Sequence, residues 1–156
     1  MPEIICNTPA VLIPQELFNE KLIQEYWNVL YPDKHREKIE TENLGDFFLL
    51  YPKNKESDSV HEISLMYKNI REKYPNQTNA ICLEVYENHI SLLVLKECHI
   101  VYTGYLHFSV KEDIVYHLAN VAQHFFEDIS PGIFYYRQLA PKLLRLLKDY
   151  FEMNQL

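Results

Sequence analysis

Few side chains in this sequence of 156 residues are of a type and spacing that could do chemistry. Asp113, His117 and His124 fall on one side of a helical stretch, and His89, His99 and His107 lie in apolar, strand-like runs. Zinc needs three or four ligands, each at ~2.1 Å. Residues 117 and 124 are seven apart, roughly 10 Å along a helix, so those two histidines cannot share one ion by themselves. Neither an HExxH run nor a Cys/His ligand spacing occurs, and no metal site is expected. Cys98 and His99 are neighbours on a strand and point to opposite faces, which excludes a nucleophile and base pair. No serine sits in a GxSxG elbow. Asp113 reads as a favourable charge at the positive end of a helix, and Tyr116 as an anchor of that helix to its sheet. The expectation is therefore no catalytic, cofactor-binding or metal-binding residue, and no cofactor.

Glycine is the scarcest useful residue. Only Gly45, Gly104 and Gly132 are present. Loops that wrap phosphate need several positions tolerant of positive φ and of close backbone approach, so this count removes most of them. Lys and Arg number 15 against 22 Asp and Glu, a net charge of −7. That field repels polyanions, and nucleic acid is not an expected partner. The densest basic run, Lys34-His35-Arg36-Glu37-Lys38, is broken by an acid. Cys6, Cys82 and Cys98 form no CxxC pair and read as free thiols in a reducing compartment. The opening Met-Pro-Glu-Ile-Ile-Cys carries no leader pattern, and no uncharged run approaches the ~18 residues of a membrane span. The expected location is cytoplasmic.

The elements that must position these side chains follow from periodicity. With hydrophobic residues at 47% and charged residues at 24%, the chain has the composition of a globular domain or of two small lobes. Residues 4–6 and 10–13 read as one short strand or two. A helix is expected over 15–30, opened by Pro14, with Phe18, Leu22, Tyr26 and Val29 as its stripe and Leu17, Trp27 and Leu30 beside it. A polar connector then reaches Asn43, followed by a buried strand over 44–51. Ser57, Asp58 and Ser59 are placed to cap a helix whose apolar stripe is Ile63, Met66, Tyr67, Ile70 and Tyr74. Residues 80–86, 90–95 and 98–108 form three strands of an antiparallel meander. Ser109 and Glu112 then read as a capping box for a helix with Ile114, Leu118, Val121 and Phe125 inward. A strand over 133–136 and a helix over 141–152 end the chain, the latter with a broad face of Leu143, Leu144, Leu147, Tyr150 and Phe151.

Strand, helix, strand, helix, then three strands, helix, strand, helix is the order of a ribonuclease-H-like lobe preceded by part of another, and two such lobes make an actin-like fold. The chain resembles an uncharacterised Bacteroidota family of unknown function with an actin-like ATPase fold, related in architecture to pilus-assembly actin-like proteins. The resemblance is carried by Val11-Leu-Ile-Pro-Gln-Glu-Leu-Phe18, by the hairpin of residues 83–95, and by Phe108 through Glu112-Asp113-Ile-Val-Tyr116-His-Leu118. It covers most of the chain. It implies an α/β fold with a mixed sheet, a three-stranded antiparallel meander and flanking helices. It also implies an architecture incomplete at both ends: the first lobe lacks its opening hairpin, and the chain stops before the last strand of the second. The lobes are expected at residues 1–76 and 77–156.

What the resemblance implies for chemistry is weaker. An actin-like ATPase would hold phosphates in two glycine-containing hairpins, with an acid on the hairpin strand to hold magnesium through water. The first hairpin would precede residue 1. The second aligns with Leu83-Glu-Val-Tyr-Glu-Asn-His-Ile90, which has no glycine and one strand acid, Glu84, read as a solvent residue on an exposed face. Ser130-Pro131-Gly132 supplies a single glycine where an adenosine site would need two. The expected function is therefore a non-catalytic protein-interaction or scaffold module; the alternatives are a nucleotide-binding actin-like ATPase and a small acidic inhibitor or immunity-type protein. Twelve tyrosines and eight phenylalanines suit an interface. The candidate surface for an unidentified protein partner is Tyr135, Tyr136, Leu143, Leu147 and Phe151, although the same pattern also fits a helix that simply covers the sheet.

Overall fold

Apolar residues occupy nearly every position of 80–85 and 89–95, so both faces of the strands they form must be covered. In the computed structural model, which describes residues 4–6, 8–34, 37–53, 59–127 and 132–156, these runs are β6 (Ala80–Val85) and β7 (His89–Lys96), and all but Val85 and Lys96 are buried. They pair antiparallel, and β7 pairs antiparallel with β8 (His99–His107). The turn from β7 to β8 puts Glu97 and Cys98 at φ +50° and +70°, the backbone of a tight two-residue hairpin that glycine or asparagine would adopt more easily. Neighbours hold it: Glu97 N–H donates to Asn79 Oδ1 at 3.0 Å, and Arg71 donates to the Cys98 carbonyl at 2.8 Å.

After the meander come α3 (Lys111–Phe125), β9 (Phe134–Tyr136), α4 (Pro141–Lys148) and β10 (Met153–Gln155). β9 runs parallel to β6, and β10 parallel to β9. The sheet order is β10-β9-β6-β7-β8, so the unit's strands, numbered from β6, lie 5-4-1-2-3. This is the mixed sheet expected of a ribonuclease-H-like lobe. One expectation is corrected: the strand thought to be missing after the last helix is β10. Helix α4 stops at Lys148 rather than continuing to residue 152, and the chain turns back to pair with β9. Three residues, Met-Asn-Gln, carry too short a pattern for a strand to be read from them. The α3 and α4 side of the sheet is one core of Ile81, Leu83, Ile90, Leu92, Ile114 and Leu118, continued by Phe134 and Leu147.

The start of α3 also differs from expectation. Its first residue is Lys111, and the carboxylate that reaches back is that of Asp113, accepting from the N–H groups of Ser109 and Val110 at 2.9 and 3.1 Å. These bonds hold its pKa below the usual carboxylate range. Tyr116, expected to anchor the helix, is exposed; the inward positions are Ile114, Leu118 and Ala122.

The other unit contains two small sheets. β1 (Ile4–Cys6) pairs parallel with β5 (Ser59–His61), and β2 (Val11–Pro14), β4 (Phe47–Pro52) and β3 (Ile39–Asn43) form an antiparallel sheet in the order β2-β4-β3. The expected polar connector is thus partly a strand: β3 reads Ile-Glu-Thr-Glu-Asn, half-buried on an edge, with Ile39 as its one apolar residue, so no apolar alternation shows. The expected helix over 15–30 is broken. Phe18 is extended at φ −74°, ψ 129° and stacks on Phe48 of β4 with ring centroids 3.8 Å apart. Asn19 then caps a new turn through its side chain, and the regular helix α1 spans only Ile23–Leu30. Trp27 is its buried residue, packed with Val11 and Leu50, whereas Leu17, Val29 and Leu30 are exposed.

The chain divides into Met1–Leu65 and Met66–Leu156. The division falls inside α2 (Glu62–Lys73), earlier than the expected boundary after residue 76, because the last turns of that helix bond within the second unit: Arg71 to Cys98 and Lys73 to the Gln155 carbonyl. Met66 and Ile70 are buried, as their spacing predicts. The proposed caps Ser57 and Asp58, together with His35, Arg36, Ser130 and Pro131, lie outside the described residues. The inward turn of α1 is open to test by urea denaturation. Trp27→Ala should cost about 3–5 kcal/mol, and Val29→Ala should change stability by less than about 0.5 kcal/mol; a Val29 cost equal to that of Trp27 would show that the stripe read from the sequence faces inward after all.

Candidate functional site

The parallel register places Leu83 of β6 beside Tyr136 of β9, so the next residues, Glu84 and Arg137, come side by side at the carboxyl ends of the two strands. This is where ligands sit in many α/β sheets. Glu84 is 4% exposed, the opposite of the solvent position read from the sequence. Both faces of β6 are covered, and the alternation that suggested an outer face separates two interiors. Arg137 Nε donates to Glu84 Oε1, and the two also form an ion pair. Burial pushes the Glu84 carboxyl above its ordinary pKa, and the arginine opposes that shift.

On the same side of the sheet, Glu84 faces Ser91 across the β6–β7 ladder, and His89 follows two residues back along β7. The His89 ring is buried and stacks between Tyr86 and Tyr105, with centroids 4.7 and 4.1 Å away. Its Nδ1 lies 3.1 Å from Asn88 Oδ1, and Nε2 is buried without a hydrogen bond. Burial and the nearby His107 hold its pKa below the usual histidine value. This cluster was not read from the sequence. The signal that could have found it is the cross-strand register, which pairs His89 with His107 and Ser91 with Tyr105.

The turn between β6 and β7 offers no glycine. At its start the Tyr86 N–H donates to the His89 carbonyl at 2.9 Å, and the Asn88 carbonyl accepts from the Phe108 N–H at 3.1 Å. On the helical side of the sheet, Val85, Tyr86, Phe108, Lys111, Ile114 and Leu143 line a cavity of about 190 Å³, smaller than the roughly 300 Å³ at which ligand pockets begin. Among the described residues no group of three His, Cys, Asp or Glu side chains converges as metal ligands would. His117 Nε2 lies 3.1 Å from the His107 carbonyl, and His124 packs edge-on against Phe125. Cys82 is buried, which raises its thiol pKa, and Cys98 is an exposed free thiol.

The five residues placed at a partner surface are all core positions. Tyr135, Tyr136, Leu143, Leu147 and Phe151 are each at most 8% exposed. Tyr135 meets Tyr74 edge-on at 4.9 Å, and Phe151 packs on Phe134 at 4.4 Å. The face looked too wide for one helix because the turn after α4 adds Phe151, and β10 adds Met153, to the same core. Tyr150 alone of the broad face stays well exposed, at 63%.

The Glu84–Arg137 pair makes a prediction with a sign. Removing one partner of a buried pair leaves the other charge uncompensated, so Arg137→Ala should lose about 3–5 kcal/mol near neutral pH. A carboxyl raised in the folded state is favoured there in its protonated form, so its contribution to stability falls as pH rises through the ordinary glutamate value toward the folded one. The loss in Arg137→Ala should therefore shrink as pH is lowered from 7 toward 4, and the double variant Glu84→Gln with Arg137→Ala should recover part of it at pH 7. Denaturant curves at the two pH values decide this, and a loss independent of pH would remove Glu84 as its cause.

No family profile and no curated protein matches the chain. Among solved structures it is similar to a Bacteroides thetaiotaomicron protein described as having an actin-like ATPase fold and unknown function, with a TM-score of 0.64 and 14% identity over 99% of this chain and 67% of that one. The α/β fold of the chain is thus actin-like, in agreement with the ribonuclease-H-like strand order of its second unit.

Proposed function

We propose that the chain is a non-catalytic protein-interaction or scaffold module built on an actin-like fold. The observation that carries this reading is the Glu84–Arg137 pair. Resemblance to actin-like ATPases implies a magnesium-holding acid on this hairpin strand, and the acid present, itself buried, already has the half-buried Arg137 guanidinium as its counterion. A metal shell at Glu84 would have to displace Arg137 from the carboxylate. The adjoining turn supports the same reading, because it lacks glycine and the Tyr86 amide at its start bonds within the hairpin. A protein partner, and not nucleic acid, fits the net charge of −7. Exposed Leu17, Val29 and Leu30 supply apolar surface of the kind interfaces use. The unpaired thiols of Cys82 and Cys98 fit a reducing, cytoplasmic setting. No described helix is long and apolar enough to cross a membrane.

The competing reading, a nucleotide-binding ATPase, draws on the fold of the structural neighbour, and fold by itself is a poor guide to function. Thermal unfolding separates the two. A ligand present at a hundred times its dissociation constant stabilises the native state by about 2.7 kcal/mol, which raises the melting temperature of a domain this size by several degrees. Melts with and without millimolar magnesium-ATP should coincide. A reproducible upward shift of that size, abolished by Glu84→Ala, would establish the ATPase reading instead.

A further inference from the structure

His61 ends β5 at the junction with α2. Its ring is 1% exposed and packs against Tyr51 of β4, centroids 5.0 Å apart. Both nitrogens are engaged. Nε2 lies 2.7 Å from the Thr8 carbonyl oxygen, and Nδ1 lies 3.2 Å from the Ile63 backbone nitrogen. A carbonyl can only accept and an amide N–H can only donate, so one state of the ring satisfies both: neutral, with the proton on Nε2 and a lone pair on Nδ1. In that state the ring does the work of a helix cap, accepting one of the orphan amides in the first turn of α2, while tying that turn to the segment that follows β1.

We propose that His61 is an acid-sensitive latch, in which protonation at Nδ1 releases the first turn of α2 from the β1–β5 pair. A proton on Nδ1 would set N–H against N–H at Ile63 and leave that amide without its acceptor. It would also place a cation in a dry site. The groups around the ring are the Thr8 carbonyl, the Tyr51 ring, the neighbouring Glu62, and Glu42 of β3. The carbonyl and the Glu42 carboxylate favour the cation, but burial outweighs them and holds the pKa below its usual value. Because the folded state favours the neutral ring, its contribution is complete above the unfolded value of about 6.5 and is lost as pH falls from there toward the folded one. The latch matters because α2 is the helix within which the chain divides into its two units, so the cap sits at the root of the connection.

The test is heteronuclear NMR of the full chain, titrated from pH 8 to pH 5. The His61 Cε1–Hε1 resonance and the Ile63 amide should change together with one midpoint below 6.5. Exchange protection at Ile63 should fall by tenfold or more across the transition, while protection at Leu118 in α3 stays constant. His61→Phe keeps a ring but no acceptor. It should leave Ile63 poorly protected at every pH, with the titration gone. The wild-type titration decides the matter even if that variant does not fold. An Ile63 amide that stays protected while the ring titrates overturns the latch. So does a His61 midpoint at or above 6.5, or a ring that stays neutral until the whole chain unfolds.

Discussion

A carboxyl in the interior of a sheet needs a proton or a cation beside it, and the cation beside Glu84 ties together two strands of the second unit that are distant in sequence. Glu84 lies on β6, the strand with β7 on one side and β9 on the other. Its counterion does not come from the meander. It comes from Arg137, 53 residues later in the chain, and reaches Glu84 only because β9 returns parallel to β6 in the register that sets Leu83 beside Tyr136. A one-residue slip of β9 would turn Arg137 to the opposite face and send its guanidinium into the apolar core beneath α3 and α4. The pair therefore disfavours every neighbouring register. This is a role in specificity; on balance, buried ion pairs contribute little net stability over well-packed apolar residues.

With β9 fixed, the remainder of the unit follows from covering two faces. The α3 and α4 side takes Ile81, Leu83, Ile90 and Leu92 into one apolar core. The other side carries the polar row of Glu84, Ser91 and His89, each at most 6% exposed, and the aromatic rings of Tyr86 and Tyr105 flank the histidine. The two faces thus differ in chemistry although both are dry. Within that row the Glu84–Arg137 pair is the contact that ties β6 to β9.

Legibility in the sequence followed burial and charge. The meander, α3 and the inward residues of α2 were readable because long runs with a constant period leave little choice. So was the actin-like arrangement, since it rests on element order. β3 was hidden by its composition, with Ile39 its one apolar residue, and β10 by its length of three residues. The helix expected over 15–30 is broken where Phe18 stacks on Phe48, the Gln15 amide bonds to the Asp46 carbonyl and Asn19 caps a new turn, and no local period reports those contacts. Glu84 was misread for a related reason: alternation says that two faces differ, and says nothing about whether the second is wet. The face from Leu143 to Phe151 was misread because excess apolar width looks the same whether it meets a partner or the chain's own returning strand.

The shortage of glycine has a structural result. The hairpin between β7 and β8 needs two consecutive residues at positive φ, and the sequence supplies Glu97 and Cys98. Non-glycine residues hold such a conformation only when their surroundings over-determine it. Here Asn79 accepts from the Glu97 amide, the Thr78 carbonyl accepts from the Cys98 amide, and Arg71 donates to the Cys98 carbonyl. The turn is bonded on all sides by its own unit. A phosphate cradle requires the reverse, a run of amides in a turn with nothing yet attached to them. At Glu97 and Cys98 the amides that a cradle would present are the ones that hold the turn, so this hairpin keeps its shape by using up its own donors.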